Sequence, residues 1–525
     1  MSDEENEARK KPGTTARLSL GALSGLPAGG TAPAAAELVA AAVRPQAGPV
    51  VAVGGAAIDR TPAAVKDWAI RDFGTDDELV LQLGILAVLA LFALTLGVLA
   101  VRHRRTGAAG VLVVGAVGAE AATSRPDSTS LTDALPSVLG SLAGAALLYC
   151  LVGRLPAAHR GGGRAGAGEG WDRCRFVLAA TAAAAASAGE GALGRALNGA
   201  GGQEAVASRK NTDLPPPASR APAVPRGAQV GVAGVSPFIT PNADFYRVDT
   251  ALVVPRVDAT AWRLRIQGDG VTREKTLTFD DSLRRGLTER DITRTCVSNE
   301  VGGPYVGNAR WTGVRLADLP EECGVRPPSR GGPADQLVAR SVDGMTMGSP
   351  VEDVMDGRDA MLAVGMNGEP LPFDHGFPVR MLVPGLYGYV SACKRIEDIE
   401  LTTFDAYDAY WVERDWAREA AIRTQSRIDT PKPFARPKTG AVMVAGVARA
   451  QHRGVDKVEV RVDDGPRQEA TLAAEDTRGT WRQWSYAWQA TRGGHTLTGE
   501  LQTEKRTRTV PDGAGGWHSV VVTVE

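Results

Sequence analysis

Residues 79–101 read LVLQLGILAVLALFALTLGVLAV, a run without a single charge. As a helix it is long enough to cross the roughly 30 Å of hydrocarbon in a bilayer, and a buried helix of a soluble core rarely stays uncharged for so long. At least one membrane-crossing helix is therefore expected. Gly107–Ser124, Leu135–Gly153 and Phe176–Leu193 are further candidate spans, and a weaker one lies within Leu18–Val43, broken by Pro27 and Pro33. Basic residues test this count of five. Arg9, Lys10, Lys11 and Arg17 precede the first span; Arg102, Arg104 and Arg105 follow the second; Arg154, Arg160, Arg164, Arg173 and Arg175 lie between the fourth and fifth. The intervening loops are acidic or mixed. Basic loops thus alternate, as a cytoplasmic N-terminus and five spans require, and everything after the fifth span is expected outside the cytoplasm. Arg173–Leu178 (RCRFVL) also has some features of a twin-arginine export signal.

Glu120 falls near the end of the third candidate span, where a boundary position competes with a functional intramembrane carboxylate. His103 and His159 both sit in basic loops, so paired axial haem ligands are missing and no haem is expected in this chain. Gly161–Gly166 (GGGRAG) matches GxGxxG formally, but follows no strand and is read as a flexible loop.

The chain changes character near residue 210. Of the ten Trp, only Trp68 and Trp171 come earlier. Its 525 residues suggest three or four domains. Lys plus Arg (59) balances Asp plus Glu (60), which gives no global attraction to nucleic acid. Five Cys are too few and too scattered for a disulfide scaffold. The expected organisation is α+β overall: a transmembrane helical region over 1–193, a Gly/Ala/Pro-rich linker over 194–235, a mixed α+β domain over 236–433, and an Ig-like β-sandwich over 434–525. In the α+β domain, Ala261–Gly268 alternates like a half-buried strand and Pro378–Pro384 reads as a short apolar one. In the sandwich, Val458, Val460 and Val462 alternate, as do Val520, Val522 and Val524. Asp464–Gly465 signals a hairpin, and Trp481, Trp484 and Trp488 fit core positions.

No HExxH, GxSxG, CxxC or Walker loop is present. One Cys stands in a suggestive setting, Thr295-Cys296-Val297-Ser298-Asn299-Glu300-Val301-Gly302-Gly303, whose glycines let backbone approach a bulky ligand. By itself such a Cys is as well read as a small buried hydrophobe. A second cluster runs MNGEPLPFDHGFPVR over 366–380, then VPGLYGY over 383–389, with Ser391 and Lys394 beyond. His375, Arg380 and Lys394, gathered by tight turns, suit a phosphate or other anion.

Together with Phe245-Tyr246-Arg247 in ITPNADFYRVD, these motifs resemble the sulfite oxidase superfamily of molybdopterin-dependent oxidoreductases. The resemblance runs in family order from about Thr240 to Glu525, and the helical leader resembles that of membrane-anchored actinobacterial members. It implies a molybdenum–molybdopterin cofactor with Cys296 as the metal's thiolate ligand, a soft anionic donor suited to such a centre. It further implies that His375, Arg380 and Lys394 hold the pterin's phosphate, and that Asn242, Tyr246, Arg247, Asn299 and Ser391 line the cofactor. Arg247 and Arg453 would then flank the substrate. A small oxo-compound of sulfur or nitrogen is the expected substrate, with an electron-transfer partner still to be identified and a homodimer through the C-terminal domain as the family's option. Sulfite-oxidising members carry a catalytic Tyr before the MNG motif. Here Val338–Ala363 contains none, and Met345 and Met347 occupy that stretch. Cys323 and Cys393 are read either as buried thiols or as a pair.

Overall fold

The computed structural model describes residues 14–62, 77–155, 202–502 and 518–525, apart from 126, 127, 129 and 252, together with a few positions between 65 and 193. Half of the fifth candidate span, Phe176–Leu193, lies outside the described residues, as do the Gly161–Gly166 loop and Arg173–Leu178. The chain divides into two compact units, one of residues 1–204 with 249–254, the other of 205–248 with 255–525.

The first unit is helical: α1 (Thr14–Val43), α2 (Pro49–Arg60), α3 (Asp77–Arg102), α4 (Arg104–Thr123) and α5 (Leu135–Gly153). Among the described residues, four segments are long and apolar enough to cross a membrane: Arg17–Val43, Leu83–Arg102, Arg104–Thr123 and Leu131–Gly153. The first was expected to be broken at Pro27 and Pro33, yet α1 continues through both. Each proline removes one backbone donor and a helix in lipid keeps its other bonds, while small residues let neighbouring backbones close on it. A Cβ on Gly25 would stand 1.9 Å from the Ala93 carbonyl oxygen of α3, and one on Gly140 of α5 would stand 2.3 Å from that of Ala32 in α1. Beyond α1, Arg44 grips the buried Asp133 through two oxygens at 3.1 and 2.7 Å. Glu120 lies in the last turn of α4 with its carboxylate 3.7 Å from Arg60.

Among the described residues, the second unit holds four sheets. Strands β1 (Arg263–Gly268), β2 (Lys275–Thr278), β5 (Gln336–Ser341), β6 (Thr346–Pro350) and β10 (Ile396–Thr402) form a mixed sheet in the order β2-β1-β10-β5-β6, with β1 and β10 parallel. As the alternation in Ala261–Gly268 predicts, Leu264 and Ile266 are fully buried. The second sheet, β3-β4-β7-β8, is antiparallel: β3 (Thr288–Thr295), β4 (Val306–Arg315), β7 (Met361–Met366) and β8 (Glu369–Pro370), with β9 (Arg380–Leu382) paired to β7. Trp311, Phe377 and Met381 join the core the two sheets share.

The C-terminal part is an antiparallel two-sheet sandwich. One sheet runs β11-β12-β16-β15 (Gln425–Thr430, Gly440–Arg449, Arg482–Ala490, Thr471–Leu472), the other β14-β13-β17-β18 (Gln468–Glu469, Lys457–Val462, Gly493–Gln502, His518–Val524). Val458, Val460, Val520, Val522 and Val524 face its core with Trp484 and Trp488. Trp481 differs. It packs with Ala228, Phe238, Val306 and Val447, and its indole N–H donates to the Phe238 carbonyl at 2.9 Å.

The stretch read as a linker is not a free spacer over its described length. Residues 202–210 are helical, and the chain beyond them lies extended along the second unit. Arg209 donates to the carbonyls of Leu371 and Pro370, both at 2.7 Å, and the Val230 N–H donates to Gln483 Oε1 at 2.7 Å. A Pro-rich chain suits this role, because it lacks donors for a sheet but can lay apolar residues such as Ala228 into a groove.

Candidate active site

Strands β3 and β4 pair as a hairpin whose connection, residues 296–305, carries the candidate thiolate. The Cys296 N–H donates to the Tyr305 carbonyl at 3.0 Å, and the Asn299 N–H donates to the Cys296 carbonyl at 3.2 Å. Cys296 is thereby fixed at the start of a closed loop, and it is 8% exposed. Gly302 has φ +91°, and a Cβ there would stand 2.1 Å from His518 Nε2, so only glycine fits. The His518 ring is held in turn by the Ile428 N–H, which donates to Nδ1 at 3.0 Å. Cys323 and Cys393 are free buried thiols, which resolves that pair of readings. Burial pushes both thiols up, as suits inert core residues.

The ITPNADFYR segment lies against the same sheet. Phe245 packs on Gly307 of β4, where a Cβ would come within 2.7 Å of its ring, and meets Trp311 and His375 edge-on. Tyr246 stacks on Phe245 and reaches the neighbourhood of Cys296, Arg294, Arg380 and Arg449. Burial pushes its phenol up to about 12, the guanidiniums pulling the other way. The phenol therefore keeps its proton at neutral pH and presents an O–H donor.

His375, Arg380 and Lys394 are brought together as expected. Arg380 bridges Lys394 in a short antiparallel contact and donates to the His375 carbonyl at 3.4 Å. Lys394 Nζ donates to the Val248 carbonyl at 2.9 Å. His375 Nε2 stands 3.1 Å from the Asn242 carbonyl, which can only accept, so Nε2 carries the proton. Its Nδ1 is buried without a partner. Burial, then Arg380, pushes His375 down from 6.5 to about 4. Between those two values the unfolded chain binds more protons than the folded one, so stability is lost as pH falls through that window. We expect the melting temperature of cofactor-free protein to drop from neutral pH toward about 4, and His375→Gln to flatten that slope, as calorimetry across pH would record. An anion at Nδ1 would favour the protonated ring and shrink the same slope.

The remaining expected residues divide. Ser391 joins the cluster, accepting from Arg294 Nη2 at 2.8 Å. Asn242 gives its amide to Glu369 at 2.6 Å and accepts from Asn367 at 2.8 Å, so its side chain braces the MNG turn while its carbonyl orients His375. Arg247 reaches Asp374 at 3.3 Å and remains partly exposed. Asn299 is buried and points its amide at Gln425 Oε1, 3.5 Å away. Arg453 lies in the turn after β12, its N–H donating to the Ala450 carbonyl at 3.0 Å. The sandwich arginine joined to the Cys296 strand is Arg449, whose Nη1 donates to Thr295 Oγ1 at 2.5 Å while Nη2 donates to Gln425 Oε1.

Two residues escaped the sequence reading. Arg294 is fully buried, and Arg449 is 4% exposed. The signal for Arg294 was a cation in a strand whose neighbours are otherwise buried, one residue from Thr295-Cys296. Arg294 donates to the Val383 and Leu386 carbonyls and to Ser391; Arg449 donates to Thr295 and Gln425. Every one of these acceptors is a neutral oxygen. Burial pulls Arg294 down and takes Arg449 down to about 10. Two buried guanidiniums without a carboxylate are costly unless an anion completes the site. The donor set fits a large polyanion: a phosphate-type grip at His375, Arg380 and Lys394, further cations at Arg294 and Arg449, and one thiol.

Known proteins are similar to the part of the chain that carries this donor set. The family described as "Oxidoreductase molybdopterin binding domain" matches residues 251–411. Mitochondrial sulfite oxidase of Mus musculus is 30% identical over 288 residues, covering 47% of this chain and 52% of that protein. The oxidoreductase YuiH of Bacillus subtilis (strain 168) is 32% identical over 156 residues, 29% of this chain and 71% of that protein. A solved structure, the sulfane dehydrogenase SoxCD of Paracoccus pantotrophus, is similar at 24% identity and TM-score 0.45, covering 51% of this chain and 74% of that one. The chain spans about half the length of the sulfite oxidases it matches. It belongs to the sulfite oxidase superfamily of molybdopterin-dependent oxidoreductases.

Proposed function

We propose that the chain is a membrane-anchored oxidoreductase that uses a molybdenum–molybdopterin cofactor for two-electron oxo-transfer on a small sulfur or nitrogen oxo-compound. The observation that carries this reading is the set of buried cations around Cys296, with Arg294 and Arg449 bonded only to neutral oxygens. In this reading Cys296 binds the metal, His375, Arg380 and Lys394 hold the phosphate, and Tyr246, Ser391 and Asn299 line the cofactor. When bound, the molybdenum centre supplies the two-electron chemistry. The chain's own residues orient and charge the pocket. Tyr246 offers its O–H, Arg294 ties the short helix Gly388–Ser391 to the Cys296 strand, and Arg247 and Arg453 draw an anionic or dipolar substrate inward. The stretch where sulfite-oxidising members carry a catalytic Tyr is here β5, β6 and their flanks, without a Tyr. That absence favours a substrate other than sulfite and leaves an S-oxide or N-oxide reductase with the same cofactor as the second reading. The C-terminal sandwich has the strand order of an immunoglobulin-like domain, the part through which a homodimer would form.

Metal analysis tests the core of the proposal. Purified protein is expected to carry molybdenum and a pterin, and a screen with artificial electron donors and acceptors then sorts substrate and direction. A non-catalytic cell-surface module would carry no molybdenum. The alternation of basic loops supports an extracytoplasmic catalytic unit anchored in the bilayer. Protease added outside spheroplasts should cut beyond residue 210 and spare the Arg154–Arg175 loop, and a protected C-terminal unit would reverse the orientation.

A further inference from the structure

The loop between β15 and β16, residues 473–481, is fastened to β3, the strand that runs into Thr295-Cys296. Its Gly479 carbonyl accepts from the Thr293 N–H at 3.0 Å, and its Trp481 N–H donates to Thr293 Oγ1 at 2.7 Å. Gln451 ties the two sides again, donating to the carbonyls of Thr293 and Gly479 at 2.7 and 2.9 Å. At its start the loop also holds the extended chain that precedes residue 240, through the Ala474 N–H and the Gly227 carbonyl at 3.0 Å. Beside these bonds the Asp476 carboxyl reaches that of Asp291 in β3. We propose that Asp291 and Asp476 share one proton and form a pH-operated clasp, which fastens the sandwich loop to the Cys296 strand in acid and loosens it as the medium turns alkaline.

The proton follows from the charges and donors at the junction. Asp291 is 4% exposed, and both its oxygens are taken by Arg310 of β4, at 2.8 and 2.6 Å. Glu289 stands 4.0 Å from the same guanidinium, which also donates to the Pro222 carbonyl at 2.9 Å. Glu289, Asp291 and Asp476 thus share one cation, and that cation is committed to Asp291. Asp476 Oδ2 is buried without a donor. Ionised, it would set an unpaired charge against a second carboxylate. Protonated, it donates to Asp291 and relieves both the repulsion and the missing bond. Glu475 and Arg478 of the same loop lie against Gly454 instead, and the His452 ring lies against Gly385. Burial, then Asp291, accordingly pushes Asp476 up to about 6. A folded-state value above the ordinary one gives stability that is complete below the ordinary carboxylate range and is lost as pH rises through about 6. That sign is opposite to the one at His375, so the readout has to be local.

The clasp uses none of the residues assigned to the cofactor. Its test is amide hydrogen exchange on the full chain in detergent at about pH 5 and about pH 8, with rates corrected for the intrinsic effect of pH. Freeing a carboxyl from about 6 to its ordinary 3.8 raises the opening equilibrium about tenfold over that interval, and solvent at the partly exposed Asp476 trims this to between about threefold and tenfold. Protection of the Thr293 and Trp481 amides should fall by that factor, while the β13 amides of the sandwich core hold theirs. Asp476→Asn keeps the shape and supplies a permanent N–H donor to Asp291, so it should show the acid level of protection at both pH values. Equal protection of the unaltered protein at both pH values would overturn the clasp, and so would an unchanged slope in Asp476→Asn or an equal loss in β13. Protection restored on the alkaline side by calcium would assign the carboxyl pair to a cation and remove the shared proton.

Discussion

Cys296→Ser is expected to fold, retain most of its pterin and lose turnover together with the thiolate-to-metal absorption. The substitution exchanges a soft sulfur donor for a hard, weakly acidic hydroxyl at a position 8% exposed. The loop that carries it is closed by backbone bonds from Cys296 to Tyr305 and from Asn299 to Cys296, and neither uses the side chain. The grip at His375, Arg380 and Lys394 comes from another segment and remains. Cys323→Ser and Cys393→Ser are the controls. Both thiols are inert core groups, so each variant should cost stability and leave the metal spectrum unchanged. Activity per molybdenum decides the matter. A Cys296→Ser enzyme with full turnover would reduce Cys296 to a packing residue and remove the centre of the functional proposal.

Local chemistry explains why some of this was legible in the sequence. The Leu79–Val101 run needs no partner to declare a helix, and the structure has α3 there. Val520, Val522 and Val524 alternate because one face of β18 is buried, a pattern visible without knowing the opposing sheet. His375, Arg380 and Lys394 were readable as a cluster because tight turns keep them within twenty residues of one another. The features that stayed hidden depend on tertiary neighbours. Pro27 and Pro33 read as breaks because their cost is intrinsic, whereas the packing that holds α1 together comes from α3 and α5. Trp481 read as sandwich core, but its partners Ala228 and Phe238 lie about 250 residues earlier. Arg449 was passed over for Arg453, four residues on, because strand register rather than spacing decides which arginine of that stretch reaches Thr295.

Arg294→Met should change stability in opposite directions with and without the cofactor. In protein made by a host that cannot supply the cofactor, Arg294 is a fully buried guanidinium whose bonds reach only the Val383 and Leu386 carbonyls and Ser391 Oγ. An unpaired buried ion costs several kcal/mol even after the protein relaxes. Methionine fills similar volume and removes that cost. The bonds it forfeits are worth less. The single Ser391 hydroxyl proton reaches the Leu386 carbonyl at 3.0 Å and the Tyr387 carbonyl at 2.7 Å; Tyr387 also accepts from the Val390 N–H, so the hydroxyl can turn to Leu386 and the Val383 carbonyl is the principal group left wanting, at about 1–3 kcal/mol. The charge therefore outweighs the lost bonds, and cofactor-free Arg294→Met should melt higher than its parent, by a stabilisation on the order of 1 kcal/mol or more. With the cofactor available the same cation completes a site for an anion, and its loss should lower the pterin-to-protein ratio after purification. Measuring both quantities separates the two effects. A variant that melts lower without cofactor would mean that Arg294 is a structural clamp on the segment 383–391. A variant that also retains the full pterin complement would mean that the buried charge serves something other than the anion proposed here.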